Sequence, residues 1–267
     1  MVFRELTQRR PVKGAVFHHV PKCAGVSVYS SLAHCYWPNK VRPVIPRPSY
    51  TAARATEIMG THFTDLGAEN THFFDSVQLF RQYMLLYNLE AGASFSGGHV
   101  HYSPRIHDRF RNTHLFVTVL REPVSRFLSQ YFYSSKSASH DRIDMTLEQA
   151  VETLGPKWGA AQVAYFADVG ANLSSTPTEA VARAKTNLAR LDVVGLVENL
   201  PAFARSLGRA LETPLFLQHA NRSPTKRRPE DTIPAGLMDK IRELCQPDIE
   251  LYEHARKLYA SSSDGVS

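Results

Sequence analysis

The run His-Leu-Phe-Val-Thr-Val-Leu at 114–120 passes without a spacer into Arg-Glu-Pro, and this junction constrains the fold more than any other feature of the chain. A nearly continuous apolar run of strand length has no solvent side. It therefore belongs in a parallel sheet covered by helices on both faces. Pro123 suits the first turn of a helix, where a missing N–H costs nothing. Val124, Phe127, Leu128 and Tyr131 follow as that helix's buried stripe.

A second unit with the same grammar occupies residues 15–32. It reads as a strand over 15–20, a tight loop with Pro21, Lys22 and Gly25, and a helix with Val26, Tyr29 and Leu32 on its apolar side. The first amides of such a helix have no internal acceptor and lie at the positive end of its dipole, so an anion placed there collects several hydrogen bonds. Lys22 adds a mobile charge. This is not a Walker A loop: no Gly-x-x-x-x-Gly-Lys-Ser/Thr occurs, and the lysine precedes the glycine.

Further elements alternate along the chain. The four-proline stretch 38–48 reads as a stiff extended loop without regular structure. A helix is expected over about 75–89, with Val77, Phe80, Met84 and Tyr87 on one face and Gly92 capping its end. Residues 95–102 read as a strand end entering a loop, and 192–197 as a third buried strand. Thr146 with Gln149, and Thr176 with Pro177 and Glu179, look like capping boxes opening helices to about 154 and 188. A helix over 201–211, a last short strand at 215–217, a polar basic loop at 221–229 and two closing helices, 234–245 and 248–260, complete the reading. Strands alternating with helices give a three-layer α/β fold around a parallel sheet, in one domain over 1–267, with 1–12 and 261–267 fraying.

Composition fits this reading. The chain has 267 residues with 43% hydrophobic content, enough for a sizeable core. Its net charge of +6 favours anionic partners. Three cysteines, Cys23, Cys35 and Cys245, are odd in number and lack metal-ligand spacing, so neither a disulfide framework nor a zinc site is expected. There is no apolar run of membrane-spanning or signal-peptide length, which leads to the expectation of a cytoplasmic protein. A chain trimmed of a membrane anchor would read the same.

In parallel sheets ligands bind beyond the carboxyl ends of the strands, where the loops at 21–25, 99–101 and 121–122 can converge. They would bring together Lys22, the helix amides, His99, His101 and Arg121. Ser129, two turns into its helix, lies on the face reached from the helix start and can share a phosphate with Arg121. His18 and His19 read as strand residues with structural roles, although one could point at the site. Arg126 reads as a tie to a neighbouring carboxylate, and Tyr131, Phe132 and Tyr133 as core.

These motifs resemble the sulfotransferases that use 3'-phosphoadenosine 5'-phosphosulfate (PAPS), in particular the carbohydrate branch that includes heparan sulfate 2-O-sulfotransferases. Pro-Lys-Cys-Ala-Gly-Val-Ser at 21–27 is similar to the family's 5'-phosphosulfate loop. Arg121, Glu122, Pro123, Arg126, Ser129, Tyr131 and Tyr133 resemble its 3'-phosphate motif. Gly-His-Val at 98–100 resembles the stretch with the base histidine, and residues 193–200 a strand-to-helix segment of the family. Cys23 and Val26 stand where the family usually has threonines, and Ala24 replaces a glycine, which leaves more of the binding to backbone amides.

The resemblance implies sulfuryl transfer from PAPS to an acceptor hydroxyl, on a glycan or glycoconjugate, with no metal and no nucleic-acid partner. It implies His99 as general base, Lys22 stabilising the leaving nucleotide, and His101 as a second member of the pair or a substrate contact. Lys22, Cys23, Ala24, Gly25, Val26, Ser27, Arg121 and Ser129 would hold the nucleotide, with Asn221, Arg222 and Ser223 as further contacts from a basic lid. Two other readings use the same residues: a nucleotide kinase or NTPase of related fold, and a non-catalytic binder of polyanions.

Overall fold

The computed structural model describes residues 11–37, 41–44, 70–136, 142–168, 176–217 and 233–263, with side chains of the second helix described from Gln78 and of the last up to Tyr259. Five parallel strands, β1 (Gly14–His18), β2 (Val41–Pro43), β3 (Phe95–Gly98), β4 (His114–Leu120) and β5 (Val193–Leu196), form one sheet in the order β2-β3-β1-β4-β5. Strand β4 has the limits expected from its apolar run and is buried at every position.

Its side chains divide between two cores, as period-two geometry requires. Leu115, Val117 and Val119 join Ala15 and Phe17 on one face, beneath α1 (Gly25–Tyr36) and α8 (Leu200–Ala210). Phe116 and Leu120 join Val16 on the other. That face is covered by α2 (Asn70–Glu90), α3 (Pro104–Phe110), α6 (Ala161–Phe166), α7 (Pro177–Leu188) and α10 (Gln246–Ser263). The arrangement is the expected three-layer α/β fold. A satellite cluster around Phe127, Leu128, Val151 and Ile241 binds α4 (Pro123–Lys136), α5 (Leu147–Gly159) and α9 (Ala235–Leu244).

Local signals held where they were chemically specific. Thr146 and Thr176 each accept from the N3 amide while the N3 side chain returns to the cap amide, two complete capping boxes. Gly92 (φ 74°) ends α2: its amide donates to Leu89 O, and the Ala93 amide to Asn88 O, a Schellman motif that satisfies two otherwise orphaned carbonyls.

Several expectations need correction. The proline-rich stretch contains β2, tolerated because an edge strand has only one ladder to maintain. Residues 215–217 form no strand: Leu215 is buried while Phe216 is exposed, and the Phe216 carbonyl accepts from Ser31 Oγ. Helix α5 continues past 154 to Gly159 with Pro156 inside it, and α10 continues past 260 to Ser263. The inward face of α1 is Val28, Leu32 and Tyr36, leaving Val26 60% exposed. On α2 the inward face is Arg81, Leu85, Asn88 and Leu89, and Phe80 and Tyr87 are exposed. Asn88 explains that rotation, because its amide donates to the carbonyls of Arg42 and Pro43 and to Ser96 Oγ, which turns this side of α2 onto the β2–β3 edge.

Candidate functional site

The registers His18↔Gly98 and His18↔Thr118 align the carboxyl ends of β3, β1 and β4. The segments after them, beginning at His19, His99 and Arg121, therefore leave one edge of the sheet together. This is the edge at which parallel α/β sheets bind ligands.

The β1 segment turns sharply into α1. Lys22 and Ala24 both adopt left-handed backbone angles, φ 67° and 54°. For residues with a Cβ this costs on the order of 1 kcal/mol each, a strain that sites of tight anion contact commonly hold. The first bond of α1 runs from Val28 N–H to Ala24 O. Gly25 and Val26 thus lie in the first turn, where helical geometry supplies no acceptor for an amide. Ser27 is buried beside them.

Cys23 departs from its expected role. Its amide donates to Val20 O, and its buried thiol points toward Pro21 O and Gln162 Oε1. Burial pushes that thiol up to about 12, so it is a packed, unreactive group.

Lys22 places its Nζ 3.6 Å from the centroid of the Tyr133 ring. Tyr133 is therefore part of the site wall and not core as expected; its ring is about half exposed. From the β4 segment, Arg121 Nη1 donates to the Lys22 carbonyl at 3.3 Å. Burial, and then the Arg121 charge, hold the Lys22 ammonium below its ordinary value. Two cations from different loops thus stand close enough for one to act on the other. Glu122 accepts from the amides of Val124 and Ser125, so the start of α4 is capped by its own chain. Ser129 is half-buried further along α4, and no hydrogen bond joins it to Arg121 among the described residues.

The β3 segment carries His99. Its Nδ1 lies 2.8 Å from the His19 carbonyl, which can only accept, so Nδ1 holds the hydrogen and Nε2 is the basic nitrogen. The Tyr165 hydroxyl lies 3.3 Å from the same Nδ1, and the His99 carbonyl accepts from Arg81 Nη1. The ring of His99 stacks on that of His19 with centroids 4.2 Å apart. His19 in turn meets the loop: a Cβ added at Gly25 would lie 1.8 Å from its imidazole. Burial, followed by the charges of His99 and Lys22, lowers His19 to about 3, which keeps it neutral.

The ring partner of His99 is therefore His19 and not His101. His101 lies against Tyr165, 4.6 Å between centroids, and burial with the nearby Arg81 charge lowers it to about 3. Gln82 donates to the carbonyls of His101 and Tyr102, fixing this backbone from α2. His18 is structural, as expected, with Nδ1 3.0 Å from Val100 O. Arg126 is buried, and its Nη2 donates to the Trp158 carbonyl in place of the expected carboxylate. Its charge still acts on Asp248, whose carboxyl burial pushes up to about 7.

The residues that sequence reading missed are His19 as ring partner, Arg81, Tyr165 and Gln162. Each acts across a long sequence separation, and only His19 sat close enough to a recognised motif to be suspected. Asn221, Arg222 and Ser223 lie outside the described residues. Among the described residues no cluster of His, Cys, Asp or Glu could hold a metal, and no helix is long and apolar enough to cross a membrane. Comparison with known proteins finds no matching family model and no matching curated protein.

Proposed function

We propose that the chain is a PAPS-dependent sulfotransferase acting on an acceptor hydroxyl, most naturally that of a glycan or glycoconjugate. The observation that carries this reading is the convergence of Lys22, Arg121 and His99 at the carboxyl edge of three adjacent strands. Two like charges facing one crevice repel each other, and an anionic ligand relieves that cost. A base with a fixed tautomer on a neighbouring strand's end supplies the second half of a group transfer.

The residues fit the donor. The left-handed loop and the amides of Gly25 and Val26 would receive the 5'-phosphosulfate, and Arg121 the 3'-phosphate. His99 Nε2 would take the acceptor's proton as its oxygen bonds to sulfur. Lys22 would leave the Tyr133 ring to neutralise charge on the bridging oxygen as the sulfur–oxygen bond to the nucleotide breaks. This is catalysis by positioning and charge stabilisation, as in phosphoryl transfer.

The test is calorimetric titration of the protein with 3'-phosphoadenosine 5'-phosphate, AMP and ATP, alongside Arg121→Ala. Binding that needs the 3'-phosphate and is lost in the variant supports the reading. Equal binding of ATP favours the kinase or NTPase alternative. Tight nucleotide binding without transfer to any of a panel of glycan, lipid and phenolic acceptors favours the non-catalytic binder.

A further inference from the structure

Gln162 is fully buried in α6, and both polar atoms of its side-chain amide engage Arg121. Its Oε1 accepts from the Arg121 amide at 3.1 Å and lies 3.9 Å from the Cys23 thiol, while its Nε2 donates to the Arg121 carbonyl at 3.0 Å. One side-chain amide thus satisfies both backbone groups of the residue just past the end of β4, as a neighbouring strand would. It also reaches the loop after β1. The Gln162 backbone amide donates to Asp248 Oδ2 and that of Val163 to Oδ1, so α10 anchors the short helix from which Gln162 projects.

We infer that Gln162 is a positioning residue that sets the separation between the Lys22 loop and Arg121, and thereby the selection of nucleotides carrying both a 5'- and a 3'-phosphate. This rests on the proposed function. The loop alone can hold a 5'-phosphate wherever Arg121 stands, but a ligand gripped at both ends needs the two groups at a fixed distance, and misplacement by about 1 Å can cost as much as two orders of magnitude. Glutamine suits the role because the amide carries an acceptor and a donor side by side. Glutamate lacks the donor, and leucine lacks both.

The experiment compares wild type with Gln162→Leu and Gln162→Glu, titrating each with 3'-phosphoadenosine 5'-phosphate and with AMP, and checking folding by thermal melting. In Gln162→Leu the affinity for the bisphosphate should fall at least thirtyfold and that for AMP less than threefold. A general structural role would lower the two together. Gln162→Glu, which keeps the acceptor and the volume, should lose discrimination by three- to tenfold, and it decides the matter if the leucine variant does not fold. A folded variant with the wild-type ratio of affinities, or with both affinities lowered by one factor, overturns the role of Gln162 and leaves the donor assignment standing. A wild type that does not distinguish the two nucleotides overturns both.

Discussion

The His19 imidazole stacks on that of His99, ring centroids 4.2 Å and planes 29° apart, while the His19 carbonyl accepts the Nδ1 hydrogen of the same ring. One residue therefore sets both the plane and the tautomer of the candidate base. With the hydrogen on Nδ1, the acceptor proton has Nε2 as its destination. His99→Ala should leave affinity for 3'-phosphoadenosine 5'-phosphate within about twofold and lower turnover by about 10²–10⁴. Titration and a sulfate-transfer assay on the same preparation separate the two effects. Equal turnover in the variant would remove His99 from the mechanism.

Gly25 and His19 form the other half of this contact. An alanine at 25 would drive its Cβ to within 1.8 Å of the imidazole, so ring or loop must move. Overpacking of this kind costs about 1–3 kcal/mol. Gly25→Ala should lower stability by that amount and weaken bisphosphate binding, while His19→Ala in the same chain should restore much of the stability by vacating the space. A double-mutant cycle from urea unfolding measures the coupling, expected at about 1 kcal/mol or more. Additive effects would mean that the loop and the ring do not meet in solution.

Much of the fold was legible because its signals are local and chemically specific. A nearly continuous apolar run cannot face water, so β4 was readable to the residue; a threonine followed by Gln149 or Glu179 three places on offers two hydrogen bonds that helix ends need. Strand β2 was hidden because proline density ordinarily removes ladder donors, and only its place at the sheet edge excuses that. The faces of α1 and α2 were misjudged because apolar spacing tells what can be buried but not which partner is present. Lys22 and Arg121 were legible from their motifs. Gln162, Arg81 and Tyr165 were not, because a buried polar residue acquires meaning only from partners that folding brings to it.

Ala24 holds φ 54° at the start of α1 with no side-chain cap. A Cβ in this region costs on the order of 1 kcal/mol, and glycine has none to pay. Ala24→Gly should raise stability by about 0.5–1 kcal/mol, the relief of strain exceeding the entropy gained by the unfolded chain. Guanidinium unfolding measures it. Destabilisation would show that the loop relaxes out of the left-handed conformation when no anion is bound.

The pH dependence of stability follows from groups that burial holds in their neutral forms. His18 is lowered to about 4, and His19 and His101 to about 3, with burial the leading cause in each. Unfolded, each titrates near 6.5. As pH falls below 6.5 the unfolded chain takes up three protons that the folded one refuses, so their contribution to stability is present above 6.5 and lost on acidification. Asp248, pushed up to about 7, works in the opposite sense: the folded state holds its proton from the ordinary carboxylate range up to about 7, and stability from this group is lost as pH rises through that window. Between pH 4 and 6.5 these three histidines oppose Asp248, so the four groups together give a net difference of about two protons and a slope of about 3 kcal/mol per pH unit; His107, His114 and His254, also lowered by burial, add to it, and Asp168, raised by burial, subtracts. Stability should climb from pH 4 to about 6.5 and flatten above 7, where the protons left on the three unfolded imidazoles and on folded Asp248 nearly cancel. Asp248→Asn should steepen the acid limb, as urea unfolding from pH 4.5 to 8 would show. A flat acid limb in the wild type would mean that the three rings reach water, and with it that the stacked pair beside Lys22 is not held as described.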